Sequence, residues 1–249
     1  MAETEPLEDP IAEGRRVIDR ASELDLTVRL IGGTAIREHS ETAKKPPFER
    51  EYRDVDFVTV REDEDEVVDL MLDLGYEENE RLNRMHRYRL EFHDPINDRK
   101  ADYIIDRFDF SHEWGLRDRV DEDAPTVPIE DLLLSKLQIY EISDRDIRDI
   151  IAMLNDHPIE SGEDPEAIDP GYVADLCRSD WGLYKTTTIN LDRVASYLES
   201  NDVPIDEDRL HDRVEALGNE IESAPKTVRW KLRSIVGERK RWYKRPELS

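Results

Sequence analysis

The sequence predicts an α+β fold, and three observations carry that prediction. As far as about residue 155, short runs of β-branched and aromatic residues alternate with stretches of helical periodicity. From 155 to 170 the chain turns rich in Pro, Gly, Asp and Glu, the composition of a connection between domains. Past 170, helical periodicity alone recurs. The division this implies is a first domain over 1–155 and an all-helical C-terminal domain over 156–249 that ends in a basic helix.

Taken in order, residues 10–24 read as a helix with Ile11, Val17, Ile18 and Ala21 as apolar positions, and Leu26–Ile31 as a short strand. Gly32-Gly33 precedes a helix over Thr34–His39, and the polar stretch 40–53, with Pro46-Pro47, reads as a loop. Val55–Val60 is a strand. Glu64–Leu74 spaces Val67, Val68, Leu70, Met71 and Leu74 as an amphipathic helix does, and Gly75 ends it. Met85–Phe92 and Ala101–Ile105 read as strands around a turn at Asp94–Asp98. Thr126-Val127-Pro128 leads into a helix over Ile129–Ile142. A second spans Asp144–Leu154, with Ser143 and Asp146 at the spacing of a capping box. Helices at about 170–178, 189–200, 206–222 and 226–245 complete the chain.

The formal net charge is -25 and 39% of residues are charged, which argues against wholesale coating of nucleic acid or of an anionic membrane. Nine lysines stand against twenty-seven arginines. That bias, with dense carboxylates, fits a halophilic protein, in which about 1 M salt would shorten the reach of self-repulsion to roughly 3 Å. An acidic mesophilic protein is the alternative. The single Cys177 excludes an internal disulfide and any multi-cysteine zinc site, and it reads as packing. No stretch approaches the roughly 18 apolar residues of a membrane span. The acidic N-terminus lacks the basic and apolar regions of a signal peptide, so a cytoplasmic protein is expected.

The chemistry concentrates between Leu30 and Phe57. A strand leads into Gly32-Gly33, where a helix N-terminus offers free N–H groups to an anion and Thr34 adds a hydroxyl. Asp54 and Asp56 stand two apart at the start of a strand and so point the same way. Paired carboxylates suit hard cations, which in turn hold a nucleoside triphosphate. Asp-X-Asp also arises by chance in so acidic a chain, but the other examples fall in loops or at helix starts. Asp102, on the strand Ala101–Ile105, is the third acid, with Asp106 as second choice; three converging carboxylates would repel without a metal. His39, His86, His93 and His112 lack ligand spacing and read as surface or loop residues.

Ile31-Gly32-Gly33-Thr34-Ala35, Arg50-Glu51-Tyr52-Arg53-Asp54-Val55-Asp56-Phe57, a strand aspartate, Leu132–Leu137 and Asp146-Ile147-Arg148-Asp149 follow one another in this order. Over about residues 10–155 this ordered set resembles the nucleotidyltransferase superfamily with the DNA polymerase β-like fold. It is most similar to the AbiEii-like branch of nucleotidyltransferase toxins. The resemblance implies a mixed sheet flanked by helices, two Mg²⁺ ions, and transfer of a nucleotide from an NTP with release of pyrophosphate. Gly32, Gly33 and Thr34 would then hold the triphosphate, and Asp54, Asp56 and Asp102 would be the catalytic and metal-binding acids. Arg50 and Lys136 would contact phosphates. Lys136 otherwise reads as a polar residue on an amphipathic helix, and Asp149 as a partner of Arg145 or a site residue.

The acceptor hydroxyl is open: RNA such as tRNA, a protein, or a small molecule. From Lys226 to Arg245 the sign of the charge reverses, with Trp230, Trp242 and Tyr243 among the cations. Such a segment fits RNA contact, or neutralisation of the acidic domain. A non-catalytic nucleotide- or RNA-binding regulatory protein on the same scaffold is the alternative function.

Overall fold

The computed structural model describes residues 5–162 and 164–245, which form a mixed α+β chain of two compact units. The first comprises the N-terminal residues to Glu38, then Arg50–Phe108 and Gly115–Pro128. The second comprises His39–Glu49, Asp109–Trp114 and the chain from Ile129 onward.

In the first unit, α1 (Pro10–Glu23) starts where the Asp9 side chain accepts from the Ile11 N–H, with Pro10 in the first turn. β1 (Val28–Ile31) runs directly into α2 (Gly32–His39). β2 (Val55–Thr59), α3 (Glu64–Asp73), β3 (Glu77–Glu78), α4 (Glu80–Met85), β4 (Arg89–Asp94) and β5 (Arg99–Ile105) follow. The five strands form one sheet in the order β1-β2-β5-β4-β3. β2 and β5 are parallel and every other pair is antiparallel, so the sheet is mixed. One face is the core. Leu30, Phe57, Tyr103, Leu90 and Phe92 are buried there, with Phe57 stacked on Tyr103 at 4.8 Å between ring centres. The Tyr103 hydroxyl meets Met71 Sδ of α3 at 3.1 Å, and Gly14 of α1 packs on Leu30 and Val55.

The strand predicted over Met85–Phe92 begins later, at Arg89. Asn79 caps α4 by accepting from Leu82 N–H, and Asn83 accepts from Glu91 N–H, so Glu80–Met85 form a short helix docked on β4. β5 stops at Ile105, because Asp106 takes φ 62°. Small strands β6 (Arg107–Asp109) and β7 (Glu113–Gly115) then pair as a two-stranded sheet, which the sequence pattern did not suggest.

The second unit contains α5 (Ile129–Leu137), α6 (Asp144–Asp156), α7 (Pro170–Ser179), α8 (Trp181–Ser200), α9 (Glu207–Ser223) and α10 (Val228–Val236). Nearly all of α5 is buried, and it packs on α6, α7 and α8. This packing groups α5 and α6 with the later helices, whereas the sequence division at 155 assigned them to the first domain. α5 ends five residues before the predicted Ile142, because the Asn190 side chain of α8 donates to the freed carbonyls of Leu137 and Ile139. α8 starts at Trp181 rather than about 189. The Asp180 carboxylate caps it by accepting from Gly182 and Leu183 N–H at 2.6 and 3.0 Å. Of the helix predicted over 226–245, the α-helical part is α10, followed by one 3₁₀ turn over Gly237–Arg239. Gly237 at φ 56° breaks the α-helix, and residues 240–245 run without helix. No helix among the described residues is long and apolar enough to cross a membrane.

Candidate functional site

The passage from β1 to α2 determines the local geometry. Gly32 takes φ 76°, a conformation that L side chains avoid, and a Cβ there would collide with the Asp56 carboxylate. A Cβ on Gly33 would strike the Arg50 guanidinium and come within 3.1 Å of the Tyr52 ring. Arg50 lies over that ring at 4.3 Å from its centre. The two glycines thus let a helix N-terminus, a carboxylate and a guanidinium approach one another.

Sheet register brings further acids to the face opposite the core. Asp56 of β2 is level with Asp102 of β5, which is level with Glu91 of β4. In-register neighbours share a face, so three carboxylates form a row across adjacent strands. Arg89 Nη2 lies 2.9 Å from both oxygens of Asp102 and 3.7 Å from Glu91. Glu91 also takes Asn79 at 2.6 Å and Lys100 at 3.4 Å. Burial pushes the Asp102 carboxyl above its ordinary range, and Arg89 only partly offsets this. Asp54 stands exposed just before β2.

Compared with models of known protein families and with curated proteins, the chain matches none.

Gly32, Gly33, Arg50 and Asp56 therefore meet in the first unit, and Asp102 adjoins Asp56 along the sheet. Three limits on the sequence reading stand beside that. Thr34 is buried at 2% exposure, so it is shut away from solvent, and its hydroxyl lacks a hydrogen-bond partner among the described residues. Asp54, Asp56 and Asp102 do not bring three oxygens within 4.8 Å of one another; among the described residues His39, His157 and Glu166 are the set of ligand atoms that close. Asp106 is committed elsewhere, accepting from Arg61 N–H and Arg117.

Lys136 belongs to the second unit. It pairs there with Asp146 at 2.9 Å and Asp149 at 3.0 Å. Burial would lower its pKa, but the two carboxylates raise it overall. Asp146 completes the predicted capping box with Ser143. Asp149 thus has Lys136, 13 residues earlier in sequence, as a neighbour, a contact that helical spacing alone does not reveal.

The histidines correct the sequence reading in part. His112 is buried, not a surface residue: its Nε2 lies 2.8 Å from Thr186 Oγ1, and burial lowers its pKa to about 4. His157, which spacing did not single out, is buried with Nδ1 2.8 Å from the Glu166 carbonyl and Nε2 3.2 Å from the His39 carbonyl. Both ring nitrogens face main-chain oxygens, which suits a structural tie better than a metal ligand. Cys177 is buried and its thiol is pushed up to about 12, in keeping with packing.

Proposed function

We propose that the chain is a Mg²⁺-dependent nucleotidyltransferase that moves a nucleotide from an NTP to a hydroxyl acceptor and releases pyrophosphate. The observation that carries this reading is the contact of Gly32 with Asp56: a left-handed glycine at a helix start, built against a carboxylate. Free N–H groups at that start suit phosphate oxygens, and Arg50 beside Gly33 adds a positive charge. A mixed sheet whose first strand runs into the diglycine helix agrees with the resemblance to the DNA polymerase β-like fold.

Asp54 and Asp56 would hold the cation. Asp102, engaged by Arg89, is not yet free to join them, and the three acids as they stand form no closed cage. A bound divalent cation supplies charge neutralisation for phosphoryl oxygens. The chain's own contribution is to bind and orient: glycine N–H groups and Arg50 on the phosphates, Asp54 and Asp56 on the cation side. Lys136, held by Asp146 and Asp149, is left out of this part of the reading.

The test is incubation with each α-labelled NTP, MgCl₂, and total RNA or protein extract. Label should enter one acceptor class, and Asp54→Ala and Asp56→Ala should each abolish it while circular dichroism stays unchanged. Unaltered transfer in both variants would refute the assignment.

A further inference from the structure

We propose that a cavity in the second unit, between α10 and the start of α8, binds a nucleotide unit: a flat base carrying a phosphate. The inference does not rest on the catalytic reading, because every residue it uses lies in the second unit. The cavity measures about 510 Å³, within the roughly 300–1,000 Å³ usual for small-molecule sites. Trp181, Trp230 and Trp242 line it, together with Arg229, Lys240 and Arg241.

The cations are the first argument. The chain has 61 acidic residues against 36 basic ones, so its surface is negative on average. Yet Arg229, Lys240 and Arg241 have no carboxylate within ion-pair distance among the described residues. Among the described residues Asp180 is the one acid in the wall, and its Oδ1 is taken by the N-terminus of α8. The cavity is therefore a local positive site in a strongly negative chain.

The second argument is that the walls are built. Arg233 lies over the Trp181 ring at 4.6 Å and donates to the carbonyls of Gly237 and Lys240, both at 2.8 Å. That bond fixes the segment carrying Lys240 and Arg241. Beyond it, Trp242 Nε1 donates to Thr186 Oγ1 at 3.1 Å, and Tyr243 stacks on Tyr140 at 3.7 Å. Lys244 pairs with Asp109 and Glu113, each at 2.6 Å. The Trp230 indole N–H is buried without a partner among the described residues.

Indole rings suit bases, Trp230 and Trp242 being the two that Arg233 does not cover, and guanidinium groups suit phosphate. Net charge would repel a long polyanion tracked across the surface, so a single nucleotide unit fits better than a duplex. That unit is either a free mononucleotide or the end of a single strand.

Calorimetric titration of the full chain with AMP, inorganic phosphate and a hexa-adenylate tests this. AMP or the hexamer should saturate one site at least tenfold more tightly than phosphate. Tightest binding by AMP identifies the free nucleotide, and by the hexamer a strand end. Arg229→Glu combined with Arg241→Glu, both at exposed positions, should weaken binding at least tenfold, and Lys240→Glu should do so independently. Titration in EDTA keeps a cation-held site from contributing, and Arg84→Glu, an exposed cation of the first unit, should leave binding unchanged. No binding of AMP or hexamer, equal binding of phosphate, or a loss with Arg84→Glu equal to that of the cavity variants would overturn the proposal.

Discussion

Arg89 in the first unit and Lys136 in the second each serve two carboxylates, but the two cations differ in exposure. Arg89 lies on a sheet face, its side chain 35% exposed, beside Asp102 and Glu91. Lys136 is 12% exposed, between Asp146 and Asp149. The stoichiometry is the same and the electrostatic result is not. Asp102 is raised: burial pushes it up, and Arg89, shared with Glu91, does not make up the difference. Asp146 is lowered: burial pushes up there too, but Lys136 and the Ser143 hydroxyl outweigh it. An acid left short of positive charge has a use for a cation from outside, whereas one already balanced holds helices in position. The first arrangement suits a site and the second a brace.

The largest effect should come from the brace. Lys136→Met would remove the cation that lies between Asp146 and Asp149, in a site where Asp149 is only 4% exposed. Breaking a buried pair by removing one partner costs about 3–5 kcal/mol. Urea unfolding should register a loss of that size. A loss under about 1 kcal/mol would mean that the carboxylates reach solvent, and the contrast with Arg89 would collapse.

How far this contrast could be read from sequence depends on the distance over which each contact acts. The diglycine helix start, the strand after Asp54 and the capping box of Ser143 and Asp146 are local, and local chemistry announces them. The level pairing of Asp56 with Asp102 is a matter of strand register, which no single segment contains. Arg89 gave no signal, since it lay in a stretch read as an ordinary strand. The bond from Lys136 to Asp149 crosses between helices and was invisible to helical spacing. Gly237 was a legible warning: a glycine inside a predicted 20-residue helix marks a candidate end, and its φ of 56° is what frees the following residues to wall the cavity. Asp180 was another, an acid immediately before Trp181 at a capping position.

A smaller, sign-dependent effect separates the two acids by pH. A raised folded pKa means that the folded chain holds the Asp102 proton more tightly than the unfolded one. Stability therefore falls as pH rises from the ordinary value of 3.8 through the folded value, and the cost persists above it. Asp146 works the other way: its contribution is present above 3.8 and is lost as pH falls through its lowered value. Asp102→Asn should remove the first slope and leave the protein at pH 7 as stable as the parent or more so, by on the order of 1 kcal/mol. Asp146→Asn should lose stability at pH 7 and flatten the acid limb. Thermal melts between pH 3 and 7 distinguish them, and parallel profiles for the two variants would show that the carboxylates are equivalent after all.

The least effect, and the finest test, is Ser143→Ala. Ser143 Oγ donates to Asp146 Oδ2 at 2.6 Å and accepts from Asp146 N–H at 3.4 Å, so it is both helix cap and second support of the lowered carboxylate. Losing a serine cap costs about 1 kcal/mol. If the cap also lowers the Asp146 pKa, the acid limb of the variant's stability profile should move to higher pH, because the carboxylate would then take up its proton earlier. Lys136 would still hold the other oxygen, so the shift should be smaller than the one caused by Lys136→Met. A stability loss with no movement of the acid limb would assign the lowered carboxylate to Lys136 alone and reduce Ser143 to a backbone cap.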